Sequence, residues 1–336
     1  MAGSGDTPSH TALPTLPWLA KLQVRLIPLF LDTVLRPNGT VNRGLLRLLE
    51  RNTPPNPDKP VHGVVTSDVT IDPRGSLSFR VFAPEERTTT ERPTLPVIVY
   101  FHGGGFVLQT AQSPTCDSIA RKLALQVPAV VASLSYRLAP EHKYPAQHQD
   151  AYDMLTYLDA NPHALPGNAD LSRTFLAGES AGGNLAHFAA SKVAAASSVF
   201  QALRIKGLVA IQPFFGGEER TESEKRLFNG PVVPVRAADL MWRAYLPEGA
   251  NRDHEACNVS GGDQLQQVEG FPRSFVVVGG LDPLQDWQRR YCEWLRRSGK
   301  EVEVLELENG VHGFYTFPEL DETRLLYEEL SKFVNK

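Results

Sequence analysis

Ser180 stands in a short run of residues that could make its hydroxyl a nucleophile. The run TFLAGESAGGNLAH (174–187) passes from apolar residues into a glycine-flanked serine and then into an alanine-rich stretch. In the pattern G-x-S-x-G, Gly178 and Gly182 leave room for a sharp strand-to-helix turn that lifts the hydroxyl out of a sheet. The pentapeptide alone is equally consistent with a small-residue packing turn. Acyl-transfer chemistry therefore also requires a base, an orienting acid and an oxyanion site elsewhere in the chain.

A second glycine-rich turn supplies candidate hydrogen-bond donors for a developing negative charge. The segment HGGGF (102–106) follows directly after the apolar run VIVYF. Without side chains, the backbone N–H groups of Gly103, Gly104 and Gly105 can face a ligand. Together with the N–H of Ala181, the residue after the serine, they form the predicted oxyanion hole. A phosphate-binding turn is a weaker interpretation, because neither a G-x-G-x-x-G nor a Walker pattern is present.

A carboxylate and a histidine follow two later apolar runs. Asp282 comes just after SFVVVGG, and His312 follows VEVLEL and a short turn. Open α/β sheets place functional groups just past the ends of their strands. An Asp before Pro is by itself most often a turn residue, and a loop His is usually solvated. The order Ser180, Asp282, His312 nevertheless matches a serine nucleophile, its acid and its base, and Asp286 is disfavoured as the acid because it falls inside the next predicted helix.

The chain that carries these residues alternates predicted strands with predicted helices. Apolar runs rich in β-branched residues occur at 97–101, 129–136, 174–178, 205–212, 274–280 and 302–307, after two earlier strands near 64–71 and 77–82. Helical patterns lie at about 115–126, 146–160, 181–196, 284–298 and 321–334. This alternation predicts an α/β fold with a largely parallel sheet that helices cover on both faces.

Two segments fall outside this alternation. The stretch LPWLAKLQVRLIPLFLDTVL (16–35) has apolar residues at mixed helical spacing, and charged residues and a proline interrupt it. We predict an amphipathic helix that acts as a lid, with a membrane-surface anchor as the alternative and no stable membrane insertion. Residues 1–60 are assigned to an N-terminal arm with this lid helix and residues 61–336 to a catalytic domain. A cap insertion is expected at about 214–270.

Composition and cysteine spacing exclude several classes of function. The 336 residues include 42% hydrophobic and 21% charged residues, which is ordinary for a globular chain. The formal net charge of −4 gives no electrostatic reason to expect nucleic acid as a partner. Cys116, Cys257 and Cys292 lie far apart, which argues against a disulfide framework or a zinc site. They fit a reducing compartment, so a cytoplasmic location is expected.

Four segments together resemble the hormone-sensitive-lipase group of α/β-hydrolases, particularly plant carboxylesterases: HGGGF, SYRLAPEHKYPAQHQD, GESAGGNLAH and GLDPLQD…GVHGF. The resemblance covers roughly residues 64–334 and implies an α/β-hydrolase fold with a helical cap. It implies that Ser180 is the nucleophile, His312 the general base and Asp282 its orienting carboxylate. It further implies hydrolysis of small to medium apolar carboxylic esters through an acyl-enzyme, with no metal or organic cofactor.

Two other functions remain open for a chain of this kind. Gibberellin-receptor-like proteins are similar to the same family and close an N-terminal lid over a hormone, but their histidine position holds another residue. His312 is present here, which favours an enzyme. Some plant relatives use the same pocket for elimination, so a dehydratase or lyase is a further alternative.

The substrate wall is the least determined part of the predicted site. Five aromatic residues are the candidates for an apolar acyl or alcohol pocket: Phe106, Phe214, Phe215, Trp242 and Tyr245. Ordinary core packing is a nearly equal interpretation of each of them. The expected partner is a small-molecule ester bound by a monomer or homodimer.

Overall fold

The described part of the chain, in a computed structural model, comprises residues 17–49, 51–72, 77–85, 93–196, 200–262 and 268–336. The start of the predicted N-terminal arm, residues 1–16, lies outside it. The strands are β1 (Val64–Asp72), β2 (Leu77–Pro84), β3 (Leu95–Phe101), β4 (Val130–Ser135), β5 (Ala169–Glu179), β6 (Ile205–Ile211), β7 (Ser274–Leu281) and β8 (Val302–Val311). The α-helices are α1 (Trp18–Val34), α2 (Arg43–Leu49), α3 (Pro114–Gln126), α4 (Ala146–Ala160), α5 (Ala181–Ala195), α6 (Glu222–Arg226), α7 (Val235–Tyr245), α8 (Gln285–Arg297) and α9 (Asp321–Asn335).

The strands form one sheet in the order β1-β2-β4-β3-β5-β6-β7-β8. The β1–β2 and β2–β4 pairs are antiparallel, and every pair from β4 to β8 is parallel. The predicted α/β fold with a mostly parallel sheet is therefore confirmed. Because the carboxyl ends of parallel strands meet at one edge, the turns after β3, β5, β7 and β8 lie together there.

Helices bury both faces of the sheet, as β3 illustrates. Val97, Val99 and Phe101 pack into one apolar cluster with buried residues of α4, α5 and α7. Ile98 and Tyr100 point the other way, into a second cluster with α3 and α9. Successive side chains of a strand alternate between its two faces, so a strand covered on both sides reads as a continuous apolar run. This is why the run VIVYF carries no polar alternation.

The helix expected at the N-terminus is α1, and it packs on the body of the protein. Ala20 and Val24 are buried in the second cluster, and Leu31 and Val34 are buried in the first. One stripe of an amphipathic helix therefore spans both clusters. No helix in the part of the chain that the structure describes combines the length and apolarity needed to cross a bilayer.

The segment between β6 and β7, where the cap insertion is expected, contains the short helix α6 and the longer helix α7. Thr221 begins α6 with a capping box, in which its hydroxyl accepts from the Glu224 N–H and the Glu224 carboxylate accepts from the Thr221 N–H. The buried stripe of α7 includes Ala237, Met241 and Trp242. These residues pack α7 into the first cluster, which also contains Leu31 and Val34 of α1.

Candidate active site

Ser180 occupies a tight turn between the end of β5 and the start of α5. Its backbone is left-handed, with φ 53° and ψ −119°, which is a costly conformation for a residue other than glycine. A Cβ on Gly178 would lie 2.1 Å from the carbonyl oxygen of Gly182, and one on Gly182 would lie 1.8 Å from that of Phe101. Both flanking glycines are therefore required sterically, and the turn holds the Ser180 hydroxyl at the edge of the sheet.

The structure brings Ser180, His312 and Asp282 together. The His312 Nε2 lies 3.1 Å from the Ser180 Oγ, and its Nδ1 lies 2.7 Å from the Asp282 Oδ2. All three side chains are buried. Asp282 follows β7 and His312 follows β8, so adjacent strand ends supply the acid and the base. The distances fit two consecutive hydrogen bonds, from a hydroxyl to a base and from that base to an orienting acid.

Asp282 is held in place by two further donors. Its Oδ1 accepts from the Leu284 N–H at 2.9 Å, and its Oδ2 accepts from the Gln288 side-chain amide at 2.8 Å. Asp286, the other carboxylate considered, lies on α8 and accepts from the Ser223 N–H at 2.8 Å instead. The geometry thus places Asp282, rather than Asp286, against the imidazole.

The charge of Asp282 also governs the protonation of His312. Burial lowers the pKa of the imidazole, but the adjacent Asp282 carboxylate raises it by charge and by hydrogen bonding, and the net pKa is raised above 6.5. An imidazolium that forms during a reaction would therefore be stabilised where it arises.

The loop after β3 presents backbone donors on the same side as Ser180. Gly104 and Gly105 have left-handed φ values of 90° and 60°, and the Gly104 carbonyl accepts from the N–H groups of Val107 and Leu108. No group in the described residues accepts from the N–H of Gly104 or Gly105. The first N–H groups of a helix have no intrahelical acceptor, and α5 begins at Ala181. The N–H groups of Gly104, Gly105 and Ala181 are therefore the candidate donors to an oxyanion.

Gly103 requires a correction to the predicted oxyanion hole. Its N–H donates to the Oε1 of Glu179 at 2.6 Å and is not available to a substrate. A Cβ at this position would lie 2.2 Å from the Glu179 Oε2, so the glycine serves close packing on that carboxylate. Gly103 supports the loop rather than contributing an oxyanion donor.

Glu179 is a residue of the site that the sequence patterns did not single out. Besides the Gly103 N–H, its carboxylate accepts from the Tyr100 hydroxyl at 3.2 Å and the Tyr315 hydroxyl at 2.9 Å. Burial raises the pKa of this carboxyl to about 7, although the Gly103 and tyrosine donors act to lower it. The only sequence sign of this role is an acidic residue at the end of an otherwise apolar strand. Glu179 connects β3, the glycine loop and the turn after His312.

A cavity of about 620 Å³ lies beside Ser180, a volume suited to a small molecule. Buried apolar side chains, including those of Leu108, Phe214 and Met241, line the part near the serine. The helix α1 forms another wall and contributes Gln23, Leu26, Ile27, Phe30 and Leu31. The N-terminal helix therefore borders the same space as the proposed nucleophile.

Four of the five predicted wall residues do not line this cavity, and that part of the prediction is wrong. Phe106 stacks on Tyr245 with ring centroids 3.8 Å apart, and Trp242 stacks on Phe214 at 4.2 Å. Phe215 belongs to a separate buried cluster beneath α8. Of the five, Phe214 alone reaches the cavity among the described residues. The others form the core behind its wall, because their rings stack on one another instead of facing the open space.

The second N-terminal helix fastens the arm to the glycine loop. Arg43 on α2 donates to the carbonyl oxygens of Val107 at 2.5 Å and Ala139 at 2.6 Å. It also forms an ion pair with Glu141 at 2.6 Å. Because Val107 directly follows the HGGGF segment, the position of the arm and that of the loop are mechanically linked.

Comparison with known proteins identifies the fold and two groups of relatives. Residues 98–316 match the family model described as alpha/beta hydrolase fold. The chain is 39% identical to the gibberellin receptor GID1C of Arabidopsis thaliana over 100% of this chain and 99% of that protein. It is 36% identical to the 3-O-acetylpapaveroxine carboxylesterase CXE1 of Papaver somniferum, over 80% of this chain and 88% of that protein. An esterase from the archaeon Pyrobaculum calidifontis superposes with a TM-score of 0.73 at 26% identity, covering 93% of this chain and 96% of that one. The resemblance found in the sequence is confirmed at the level of the family.

Proposed function

The chain belongs to the alpha/beta hydrolase fold family, and from this premise we propose that it is a carboxylesterase acting on small to medium apolar esters. One observation carries the proposal. Hydrogen bonds link Asp282 to His312 and His312 to Ser180. Ser180 lines a cavity together with Gly104 and Gly105, whose N–H groups have no acceptor in the part of the chain that the structure describes. That combination is what acyl transfer to a serine requires.

In the acylation half-reaction, His312 Nε2 accepts the proton of Ser180 as Oγ attacks the ester carbonyl carbon. Asp282 accepts a hydrogen bond from Nδ1–H, which fixes the imidazole tautomer and stabilises its charged form. The carbonyl oxygen becomes an oxyanion and is held by the N–H groups of Gly104, Gly105 and Ala181. The C–O bond to the alcohol then breaks, and the alcohol leaves with the proton carried by His312.

Deacylation uses the same groups in reverse order. A water molecule gives a proton to His312 as its oxygen attacks the acyl carbon, and a second oxyanion forms in the same donor site. The bond to Ser180 Oγ then breaks, the serine regains its proton, and the carboxylic acid is released. A single base and a single set of donors serve both halves.

We assign α1 the role of a lid. Its residues Ile27, Phe30 and Leu31 border the cavity, and its apolar wall would exclude water and contact the part of the substrate farthest from the reacting bond. Since the α1 residues on the cavity wall carry only apolar or amide side chains, α1 is expected to govern substrate choice more than the serine chemistry.

A binding function is the second candidate, and one observation favours it. The gibberellin receptor relative aligns with all of this chain, including its N-terminal region, whereas the poppy carboxylesterase covers 80% of it. A receptor would hold a small molecule in the cavity under α1 without using Ser180 as a nucleophile. The hydrogen-bonded Ser180–His312–Asp282 sequence supports the esterase instead, because binding alone makes no use of it. Elimination chemistry in the same cavity is tested by analysing the products.

The esterase proposal is tested with p-nitrophenyl esters from acetate to dodecanoate. The wild type should hydrolyse them, and Ser180→Ala and His312→Ala should each lower kcat by several orders of magnitude, because triad residues act as a unit. The same proteins are examined for equilibrium binding of gibberellin. Hydrolysis that survives Ser180→Ala would refute the nucleophile. Tight hormone binding without any turnover would favour the receptor.

A further inference from the structure

The cavity beside Ser180 has a buried end and a polar, exposed end. Ser180 and His312 are buried at the first end. Gln23 of α1 and Thr115 and Ser118 of α3 also line the cavity, and all three are exposed. The opening therefore lies between α1 and α3. A substrate whose ester reaches the serine must place its far end against this polar entrance.

Lys122 is the single lysine or arginine on the wall of this cavity within the described chain. It follows Thr115 and Ser118 by seven and four positions, so the three side chains share one face of α3. Lys122 is half-buried, and burial lowers the pKa of its ammonium group while Glu319 acts to raise it. In the described residues, Lys122 forms no salt bridge. The entrance thus holds a half-buried ammonium group that the Glu319 carboxylate attracts without forming a salt bridge in the described residues.

Gln23 of α1 lines the same cavity as Lys122 of α3. An ammonium group and a side-chain amide are both hydrogen-bond donors, and together they suit an anionic oxygen pair.

We propose that the cavity accepts esters whose far end carries a carboxylate, which Lys122 binds with Gln23 beside it. The proposal rests on the proposed esterase function of Ser180. One lysine balances one negative charge, which favours a carboxylate over a doubly charged phosphate monoester. The one acidic residue on the described cavity wall is Glu179, and its oxygens are already bound by Gly103 and two tyrosines at the buried end. Glu319 lies outside the cavity wall but acts on Lys122, so an anionic group at the entrance competes with the Glu319 carboxylate for the ammonium group.

The test compares two p-nitrophenyl esters of equal length, the mono-ester of suberic acid and its terminal amide analogue. Wild-type kcat/KM should favour the anionic ester by about tenfold at low ionic strength, which corresponds to about 1.4 kcal/mol. Lys122→Met should bring the ratio to about one, and Lys122→Arg should retain most of it. Lys21→Met is the matched control, since Lys21 is an exposed lysine on α1 outside the cavity wall. Salt should reduce the wild-type ratio by screening.

Hydrolysis of both esters with a wild-type ratio near one would overturn the carboxylate site and leave the esterase function standing. If neither ester is hydrolysed, the esterase function is overturned. Equilibrium binding of the two esters to wild type and to Lys122→Met then tests the carboxylate site independently of turnover. Preferential binding of the anionic ester that depends on Lys122 supports it, and equal binding overturns it. The same binding measurement on Ser180→Ala separates recognition from turnover.

Discussion

Replacement of Glu179 is expected to disturb the oxyanion loop while leaving the Ser180 hydroxyl in place. The Glu179 carboxylate accepts three hydrogen bonds, from the Gly103 N–H, the Tyr100 hydroxyl and the Tyr315 hydroxyl. Glu179→Ala removes the acceptor of all three donors. Glu179→Gln keeps the shape and one acceptor oxygen. Glu179 is a positioning residue in this account, because it acts through the loop that carries the oxyanion donors.

The size of the effect follows from those contacts. A buried donor left without an acceptor costs about 1–3 kcal/mol, and partial relaxation around Glu179→Ala brings the expected loss for three donors to about 3–5 kcal/mol of unfolding free energy. Loss of one oxyanion donor costs about 10²–10³ in kcat. Displacement of the Gly104 N–H, without its removal, should therefore lower kcat by up to about 10²-fold, with a smaller change in KM.

The pH dependence of stability gives an independent signature. Burial raises the pKa of Glu179 from its ordinary value of 4.5 to about 7, so between these values the folded protein holds a proton that the unfolded chain has released. A raised carboxyl pKa lowers stability as pH rises from about 4.5 to about 7, and the loss is complete above that range. Gln does not titrate. Between pH 4.5 and 8 the stability of Glu179→Gln should therefore rise relative to wild type by roughly 3 kcal/mol.

Urea unfolding at acidic and alkaline pH, with kcat and KM for p-nitrophenyl acetate, measures both effects. Tyr315→Phe is the matched control, because it removes one donor and keeps the carboxylate. It should lie between wild type and Glu179→Ala. Wild-type kcat and stability in Glu179→Ala would refute the positioning role. A stability difference between Glu179→Gln and wild type that does not change with pH would refute the raised pKa.

Three further predictions concern the acid, the core and the lid. In steady-state kinetics, Asp282→Asn should lower kcat by about 10⁴-fold, as for the orienting Asp of a serine protease. Asp286→Asn should leave kcat near wild type. The opposite pattern would show that Asp286, not Asp282, is the acid. Trp242→Ala should lower the unfolding free energy by about 3–5 kcal/mol and leave the acyl-length preference unchanged. A changed acyl-length preference at wild-type stability would show that Trp242 lines the cavity. Deletion of residues 1–45 should preserve labelling of Ser180 by a small organophosphate, while hydrolysis of bulky apolar esters falls more than that of acetate. If the intact protein binds liposomes, the truncated one does not, and the ester preference is unchanged, α1 is a membrane anchor. If the truncated protein fails to fold, α1 is part of the core.

The positions of the candidate catalytic groups could be predicted because they depend on strand ends. Ser180, Asp282 and His312 each follow an apolar run, and parallel strands bring their carboxyl ends to one edge of the sheet. Their proximity therefore follows from topology, and the steric need for Gly178 and Gly182 follows from the turn. The helix α1 was also recognisable, since an amphipathic stripe is a local property of the sequence.

The direction of individual side chains could not be predicted in the same way. An aromatic residue near the site packs in the core or faces the cavity according to its neighbours, and the stacked pairs Phe106–Tyr245 and Phe214–Trp242 depend on residues distant in sequence. Phe106 also has a left-handed φ of 65°, which its residue type disfavours. The bond from Gly103 to Glu179 joins two motifs across two strands. Only the tertiary structure reveals that the Gly103 N–H already donates to the Glu179 carboxylate.

Covalent labelling of Ser180 by a chromogenic ester and by an organophosphate tests the central claim most directly. Rapid mixing with p-nitrophenyl acetate should release a burst of about one p-nitrophenol per chain if deacylation limits turnover. The organophosphate should add one phosphoryl group, located on Ser180 by peptide mass spectrometry, and this labelling should abolish ester hydrolysis. Labelling should be lost in Ser180→Ala and strongly slowed in His312→Ala, because the serine then lacks its base. Hydrolysis that persists after full labelling of Ser180, or labelling as fast in His312→Ala as in wild type, would contradict the account.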